Sequence, residues 1–260
     1  MTDAFYVADG ERFVATEHTR GPWSPVHQHA GPPAALMARA VERAAPELML
    51  ARVTVDLLRP VPIAALTVRT ETLRAGKKVQ RLRAFLLAGD DLVAHAMALL
   101  IRTQPVALPD ARATHTLPPP DSVPPFQFPF FHNAVGYHHA METRMEAAAF
   151  GTGDVTAWMR RRLPLLDGET PSPMQRILIA ADSASGVSAM LDPARFTFVN
   201  SDLTVAVHRP LEGEWIGMRA VTTPQAHGVG LTDTQLFDTH GPLGRVVQSL
   251  VIEARSTSGR

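Results

Sequence analysis

The first cluster of residues that could bind a metal or catalyse a reaction is His27-Gln28-His29. Two histidines at alternate positions share one face of a strand, where they could ligate zinc or iron. Neither a third ligand at a regular spacing nor a nearby carboxylate follows them. We therefore expect no metal site, and we expect these histidines to line a binding pocket.

A second cluster is Asp182-Ser183-Ala184-Ser185-Gly186, which places a serine near a glycine. A serine-hydrolase elbow has the pattern G-x-S-x-G and joins a strand to a helix. The cluster lacks the first glycine and follows a helical pattern rather than a strand. We therefore exclude a serine nucleophile.

A third cluster is basic and surrounds one predicted hairpin. Its members are Arg74, Lys77, Lys78, Arg81 and Arg83, and the two lysines are the only lysines in the chain. Arginine and lysine are the side chains that hold phosphate groups. Such a cluster is also typical of a solvated hairpin tip, so both interpretations stay open.

The chain repeats the elements that must position these residues. Thr54-Val55-Asp56-Leu57-Leu58-Arg59-Pro60 is followed 150 positions later by Thr204-Val205-Ala206-Val207-His208-Arg209-Pro210, and four of the seven residues match. After a slip of three residues, Val93 to Arg102 runs parallel to Val246 to Arg255. A period this long indicates duplicated modules rather than a solenoid, whose repeats have about 20–50 residues.

The two copies differ at three polar positions. By these offsets, the second copy has Asp182 in place of Pro32, Asn200 in place of Leu50 and Gln248 in place of His95. The first copy shows that the fold does not require a carboxylate or an amide there, so the three are candidates for a functional site. The alternative is that Asp182 is an ordinary helix residue and Gln248 an exposed strand residue.

The composition is that of a globular protein without a strong charge bias. Of its 260 residues, 45% are hydrophobic and 19% charged, and there are 25 basic and 25 acidic residues. No global field attracts nucleic acid or an anionic membrane. The absence of cysteine excludes disulfides and thiolate catalysis, and neither a signal peptide nor a membrane-spanning run is evident. We expect a cytoplasmic protein without a membrane partner.

The order of predicted elements is the same in both halves. The first half contains a strand over Phe13–Thr19, a helix that begins near Pro32 and ends before Pro46, and a four-strand meander from Arg52 to Arg102. The second half contains a strand region over 148–162 and a helix around Met174 to Ala184. Its remaining strands are predicted at 196–200, 202–209, 215–223, 230–237 and 243–254.

A proline-rich segment separates the halves. Eight prolines lie between Thr103 and Phe131, and proline removes donors and favours extended backbone. We therefore predict an N-terminal module at 1–104, a linker at 105–131 and a C-terminal module at 132–260.

A helix wrapped by a curved antiparallel sheet and duplicated in tandem resembles the double hotdog acyl-CoA thioesterases of the thioesterase II type. The order and spacing of several segments carry the resemblance: His29 to Leu36, Asp56 to Pro60, Arg74 to Lys77, Ala181-Asp182-Ser183, His208-Arg209-Pro210 with Glu214-Trp215, and Val247-Gln248-Ser249. The resemblance implies an α+β fold, a tandem hotdog.

The resemblance also implies the roles of the candidate residues. In that family an aspartate on the second helix, a threonine or similar residue and a glutamine activate a water that attacks the thioester. Asp182 matches the aspartate and Gln248 the glutamine, while the threonine position falls on Asn200. An amide can both donate to a water and accept from it, so Asn200 preserves the chemistry.

The oxyanion that forms when water attacks a thioester also needs hydrogen-bond donors, which the N-terminus of a helix supplies. His29, Ala30 and Gly31 stand at the entry to the first helix, and we expect them to bind the substrate there. Pro32 and Pro33 have no N–H, and a plain helix-entry turn is the alternative.

The resulting hypothesis is hydrolysis of acyl-CoA to a free acid and coenzyme A by direct water attack, without a cofactor or a covalent intermediate. Arg74, Lys77 and Lys78 would hold the phosphates of coenzyme A, and double-hotdog units would pair again. The alternatives are a non-catalytic acyl-CoA or acyl-chain binding protein and a hotdog enoyl-thioester hydratase. The hydratase requires a histidine paired with a carboxylate, for which His95 and His29 are the candidates.

Overall fold

The computed structural model describes residues 3–108 and 115–255, so residues 109–114 of the predicted linker and both ends of the chain lie outside the described residues. Within them, the first half folds into one long helix, α1 (Gly31–Ala44), and several strands. The strands are β1 (Tyr6–Asp9), β2 (Arg12–Ala15), β3 (Met49–Leu57), β4 (Ala65–Ala75), β5 (Val79–Ala88) and β6 (Asp91–Ile101).

The second half begins after a short 3-10 turn at Pro120–Ser122. Its helices are α2 (Tyr137–Ala140), α3 (Pro173–Ala181) and α4 (Ala184–Val187). Its strands are β7 (Met141–Arg144), β8 (Asp154–Arg161), β9 (Phe196–Asn200), β10 (Asp202–Val207), β11 (Ile216–Pro224), β12 (Val229–Asp238) and β13 (Gly241–Ala254).

Helix α1 is buried along most of its length, as its alanine-rich composition predicts. Prolines occupy its first turn, and the helix ends at Ala44, ahead of Pro46. The buried polar residue of this helix is Arg39, whose guanidinium binds the carboxylate of Glu169 at 2.6 and 2.7 Å. A bidentate pair of this kind compensates the buried charge.

The strands form one continuous antiparallel sheet in the described part of the chain. Its order is β1-β2-β4-β5-β6-β3-β10-β13-β12-β11-β8-β7, and β9 pairs with β13. Buried side chains from both halves form one contiguous hydrophobic core, in which α1 and α3 pack against each other inside the curved sheet.

The two halves meet where β3 pairs with β10. Thr54 lies opposite Thr204, and the Thr204 hydroxyl donates to the Thr54 hydroxyl at 3.1 Å. These two residues are equivalent in the sequence repeat. A pseudo-two-fold axis therefore passes between them, and the sequence repeat is a structural one.

The predicted three-residue slip near the end of the repeat is wrong. Thr54 pairs with Met97 and Thr204 pairs with Val247, which are again 150 positions apart. The hairpin turns at 88–91 and 238–241 have the same length, so the register is kept. The counterpart of Gln248 is therefore Ala98 rather than His95, and the contrast between polar and apolar residues at this position remains.

The predicted equivalence of Asp182 and Pro32 is also wrong. Pro32 lies in the first turn of α1, whereas Asp182 follows the last residue of α3. Because α3 begins 142 positions after α1, the counterpart of Asp182 is Ala40. The 150-residue offset fails here because α4 and a longer loop separate α3 from β9. It holds for Asn200 and Leu50, which pair with Leu250 and Leu100.

Two strand predictions were too long. The strand predicted at Phe13–Thr19 ends at Ala15, because Thr16 caps a 3-10 turn over Glu17–Thr19. The region predicted at 148–162 becomes a 3-10 turn at Ala147–Ala149 followed by β8. None of the described helices is long and apolar enough to span a membrane.

We expect Gly31→Ala to lower the free energy of unfolding by about 1–3 kcal/mol. A Cβ at Gly31 would lie 2.3 Å from the Ile179 carbonyl oxygen, so α1 and α3 would have to separate. Gly186→Ala is the matched control, because its Cβ would lie 3.4 Å from a Phe130 side-chain atom. Urea unfolding of both variants measures the effect, and equal stabilities would contradict it.

Candidate active site

A cavity of about 860 Å³ opens between the two halves. The turn before α1, the β3–β4 connection and the end of β9 contribute to its wall, together with the α3–α4 junction and the segment that follows the linker's 3-10 turn. His29, Asp182 and Asn200 all line it. Its volume suits a small organic ligand.

Asp182 lies at the C-terminal end of α3 and is 6% exposed. The helix begins at Pro173, after Ser172, whose hydroxyl caps it by accepting the N–H of Gln175 at 3.2 Å. A carboxylate is disfavoured at the negative end of a helix dipole and in a buried position. Asp182 therefore needs donors from outside its own helix.

Three donors surround this carboxylate. His29 Nδ1 lies 2.9 Å from Oδ2, and the side-chain amide of Asn200 donates to Oδ1 at 2.9 Å. The backbone N–H of Ala30 also donates to the carboxylate. The donors come from the turn before α1 and from β9, so residues of both halves complete the site.

These contacts lower the pKa of Asp182. Burial on its own raises the pKa, but the charge of His29 and the hydrogen bonds from His29, Asn200 and the Ala30 N–H together outweigh it. The carboxylate is therefore ionised at neutral pH.

The position of His29 determines which ring nitrogen carries its proton. A nitrogen 2.9 Å from an ionised carboxylate must donate, so the proton of the neutral ring is on Nδ1. Nε2 is then left with its lone pair. The ring stacks on Tyr137 with centroids 3.7 Å apart and planes 2° from parallel, which holds its orientation.

A hydrogen-bond chain behind His29 fixes the direction of the Ser183 hydroxyl. The Tyr137 hydroxyl donates its proton to the Ile179 carbonyl at 2.6 Å, so in its 2.9 Å contact with Ser183 it must accept. Ser183 therefore donates to Tyr137, and its oxygen, 3.5 Å from His29 Nε2, is left as an acceptor. This direction agrees with the exclusion of a serine nucleophile, because His29 does not hold the hydroxyl proton.

Gln248 occupies a different place from the other candidates. It is fully buried in β13 and does not line the cavity. Its amide donates to the backbone carbonyl of Asp182 at 3.2 Å, and its oxygen accepts the N–H of Ser185 at 3.1 Å. It thus holds the turn between α3 and α4 and does not contact the Asp182 carboxylate.

The predicted substrate-binding turn lies beside this carboxylate. The N–H of Ala30 is already used by Asp182. The nitrogen of Gly31 lies 3.3 Å from His29 Nδ1. Nδ1 cannot accept a hydrogen bond while it donates its own proton to Asp182. Gly31 is buried and, unlike His29 and Ala30, does not line the cavity, so its role as oxyanion donor remains a prediction.

The structure does not bring the basic hairpin to the cavity. Arg74, Lys77 and Lys78 lie at the tip of the β4–β5 hairpin, whereas Val61, just before β4, lines the cavity. Because β4 has 11 residues, the hairpin tip lies about 33 Å from the start of β4, measured along the strand. The geometry does not support the expectation that these three residues bind phosphates of the same ligand. The lining itself contains two exposed arginines, Arg59 and Arg162.

A second histidine–carboxylate pair lies outside the cavity lining. His95 Nδ1 is 3.3 Å from Asp56 Oδ2, and both side chains are partly exposed. Of the two histidines considered for a hydratase, His29 is therefore the one at the cavity. Among residues 3–108 and 115–255, no three His, Asp or Glu side chains are grouped in a way that could hold a metal ion.

Sequence reasoning selected Asp182, Asn200 and His29 but did not predict that they touch. It missed Tyr137, which no motif or repeat marks. The pairing of His29 with Asp182 joins residues 153 positions apart, and only the packing of α1 against α3 brings them together.

Two family models match the chain in sequence. The acyl-CoA thioesterase N-terminal domain matches residues 19–101, and the acyl-CoA thioesterase C-terminal domain matches residues 109–252. No curated protein matches the chain.

Solved structures share the fold at low sequence identity. A putative thioesterase II from Thermobifida fusca has a TM-score of 0.78 at 14% identity, and 96% of this chain and 98% of that chain are covered. A hotdog-fold protein of unknown function from Alicyclobacillus acidocaldarius has a TM-score of 0.75 at 18% identity, with 97% of each chain covered. An acyl-CoA thioesterase II from Mycobacterium marinum has a TM-score of 0.69 at 14% identity, with 97% and 95% covered. These likenesses confirm the predicted tandem hotdog fold.

The lowered pKa of Asp182 predicts how stability depends on pH. A carboxylate with a depressed folded-state pKa contributes stability that is present above its ordinary pKa of 3.8 and is lost as the pH falls through the folded-state pKa. We therefore expect the stability difference between the wild type and Asp182→Asn to shrink as the pH falls from 6 to 3. Urea unfolding at each pH measures it. The exposed Asp91→Asn is the control, and the same pH trend in both variants would contradict the assignment.

Proposed function

This chain belongs to the acyl-CoA thioesterase family, so thioester hydrolysis is its reaction, and we propose that His29 and Asp182 activate the attacking water in the cavity. The observation that carries this proposal is the 2.9 Å contact between His29 Nδ1 and Asp182 Oδ2 at the cavity wall. A histidine oriented by a buried carboxylate is an arrangement that removes protons from nucleophiles in many enzymes.

His29 is better suited than Asp182 to accept the proton of the water. Both carboxylate oxygens already have donors, and the pKa of Asp182 lies below its ordinary value, which makes it a weak base. In its neutral tautomer, the Nε2 of His29 has a lone pair and belongs to a residue that lines the cavity. The role expected for Asp182 from the sequence therefore changes from direct base to the group that orients His29 and stabilises its positive charge.

The proposed reaction has two steps. In the first, the water oxygen bonds to the thioester carbon while one water proton passes to His29 Nε2, which produces a tetrahedral oxyanion and an imidazolium. In the second, the oxyanion collapses, the carbon–sulfur bond breaks, and the imidazolium returns its proton to the sulfur of coenzyme A. The products are a free acid and coenzyme A, and His29 ends neutral.

The remaining candidates support this pair in different ways. Asn200 binds Oδ1 of Asp182 and lines the cavity, so its amide oxygen is available to a water or to the substrate. Gln248 acts through the backbone and holds Asp182 and Ser185 in place. The Ser183 oxygen, 3.5 Å from His29 Nε2, can accept a hydrogen bond from the imidazolium N–H.

We propose the N–H of Gly31, the residue after the lining residue Ala30, as the donor to the oxyanion. It belongs to the first turn of α1, where the helix dipole favours negative charge. Its neighbour Nδ1 cannot accept from it in the active tautomer, so a developing oxyanion would be its stronger partner.

We propose Arg59 and Arg162 as the residues that meet the phosphates of coenzyme A. Both line the cavity and are exposed. The partner of Arg59 is Asp91 at 3.2 Å, and both side chains of this pair are largely exposed, so the pair is weak and exchangeable. Their position relative to the cavity favours them over Arg74, Lys77 and Lys78.

A second candidate function is hydration of an enoyl thioester. The same His29–Asp182 pair supports it, because a histidine and a carboxylate at one cavity wall can move the two protons that such a reaction requires. In this reaction the carbon–sulfur bond stays intact, so no coenzyme A is released. The decrease in absorbance of a crotonyl-type thioester distinguishes it from hydrolysis.

We expect His29→Gln and Asp182→Asn to lower kcat for acyl-CoA hydrolysis by about 10²–10⁴-fold while keeping similar size, because the first removes the base and the second removes the charge that orients it and stabilises its imidazolium. Release of coenzyme A from a panel of acyl-CoAs, followed with a thiol reagent, measures the rate. His95→Gln and Asp56→Asn are matched controls, because they alter a histidine–carboxylate pair outside the cavity.

The outcomes separate the alternatives. Equal rates for the wild type and Asp182→Asn would overturn the assignment. Binding of acyl-CoA by the wild type without release of coenzyme A would favour a binding protein, and loss of enoyl absorbance without release would favour a hydratase.

Arg59→Ala and Arg162→Ala should each raise KM for acyl-CoA by about two- to fivefold and change kcat little, because exposed ion pairs contribute modestly. The increase should diminish at high salt, where exposed charges are screened. The double variant Lys77→Ala, Lys78→Ala is the control on the far hairpin. A larger effect on KM from this variant than from the arginine variants would restore the hairpin as the phosphate site.

A further inference from the structure

The segment that follows the linker's 3-10 turn forms part of the cavity wall. Phe126, Phe128 and Phe130 are buried or half-buried and line the cavity, while Pro129 and Gln127, which also touches the cavity, are exposed. This alternation in burial is that of an extended chain whose phenylalanine face packs inward. Phe131 also lines the cavity. We call Phe126, Phe128, Phe130 and Phe131 the phenylalanine wall.

Contacts at both ends hold this segment in place. The N–H of Phe126 donates to the carbonyl of Thr143 in β7 at 2.9 Å. At the other end Phe130 lies against Gly186 in α4 and stacks on Trp23, with ring centroids 6.1 Å apart and planes 9° from parallel. The wall is therefore anchored to the second half and to the turn before α1.

The rings follow one another at aromatic contact distance. Centroids are 5.2 Å apart for Phe126 and Phe128, 5.3 Å for Phe128 and Phe130, and 5.4 Å for Phe130 and Phe131. These distances fall in the range of favourable ring pairs. Phe150 packs against three of the rings but does not line the cavity.

The negative charge of Glu142, a lining residue near the wall, is balanced by two arginines. Glu142 lies in β7, next to Thr143, and Arg160 and Arg144 bind its carboxylate at 2.7 and 3.1 Å. The wall therefore presents ring surfaces rather than a free charge to a ligand.

We propose that the phenylalanine wall selects thioesters whose acyl group carries an aromatic ring. This inference rests on the proposed function, because it assigns the acyl group to the part of the cavity that the wall encloses. An aryl group packs offset or edge-to-face on the rings and gains from their quadrupoles beyond the area it buries. A flexible alkyl group of equal carbon number lacks that gain and loses more rotational freedom on binding.

The test compares two substrates with the same number of acyl carbons, phenylacetyl-CoA and octanoyl-CoA. We expect the wild type to have the higher kcat/KM for phenylacetyl-CoA. Phe130→Leu and Phe128→Leu remove a ring but keep an apolar side chain, and each should reduce the aryl-to-alkyl ratio by about two- to tenfold. Phe150→Leu is the matched control, because it removes a ring of the same cluster that lies outside the lining, and the ratio should not change.

A binding measurement separates this inference from the proposed function. The non-hydrolysable thioethers S-(2-phenylethyl)-CoA and S-octyl-CoA, titrated by calorimetry, should show the same preference in Kd as the substrates show in kcat/KM. Tighter aryl binding without turnover of either substrate would support the wall and overturn hydrolysis. Hydrolysis of both substrates with an alkyl preference, or with a ratio unchanged in both wall variants, would overturn the wall's role alone.

Discussion

The structure of the site depends on the ionised carboxylate of Asp182, buried where the end of one helix meets the start of another. Removing such a charge from water costs several kcal/mol unless donors replace the solvent. His29, Asn200 and the Ala30 N–H supply them, and they come from the turn before α1 and from β9. The need to satisfy this one group therefore fixes how the two helices and the turn are arranged around the cavity.

A second carboxylate lies at the other end of the pair formed by α1 and α3, and its pKa shifts in the opposite direction. Glu42, near the end of α1, accepts hydrogen bonds from Ser172 and Gln175 at the start of α3. Burial outweighs those bonds and raises the pKa of Glu42, whereas in the Asp182 contact the histidine reverses the direction. Each end of the helix pair thus holds one carboxylate, and His29 accompanies only the one at the cavity.

The connection between the halves takes part in the site as well as joining the modules. Its prolines favour extended backbone, and in an extended chain every second side chain points to the same face. Phe126, Phe128 and Phe130 use that geometry to line the cavity. The composition that predicts a linker is therefore also suited to a rigid wall, because proline limits the conformations that the wall can adopt.

The sequence by itself determined the duplication, the buried helix, the meanders and the choice of Asp182, Asn200 and His29 as candidates, because periodicity and repeats are local or register-based signals. Only the tertiary structure decided that His29 touches Asp182 and that Gln248 binds the backbone of Asp182 and Ser185. It also corrected the offsets of Asp182 and Gln248 within the repeat and showed that the basic hairpin lies about 33 Å away along β4. These facts depend on how the helices pack and on where each helix and strand begins and ends. Local patterns of residue type do not determine either.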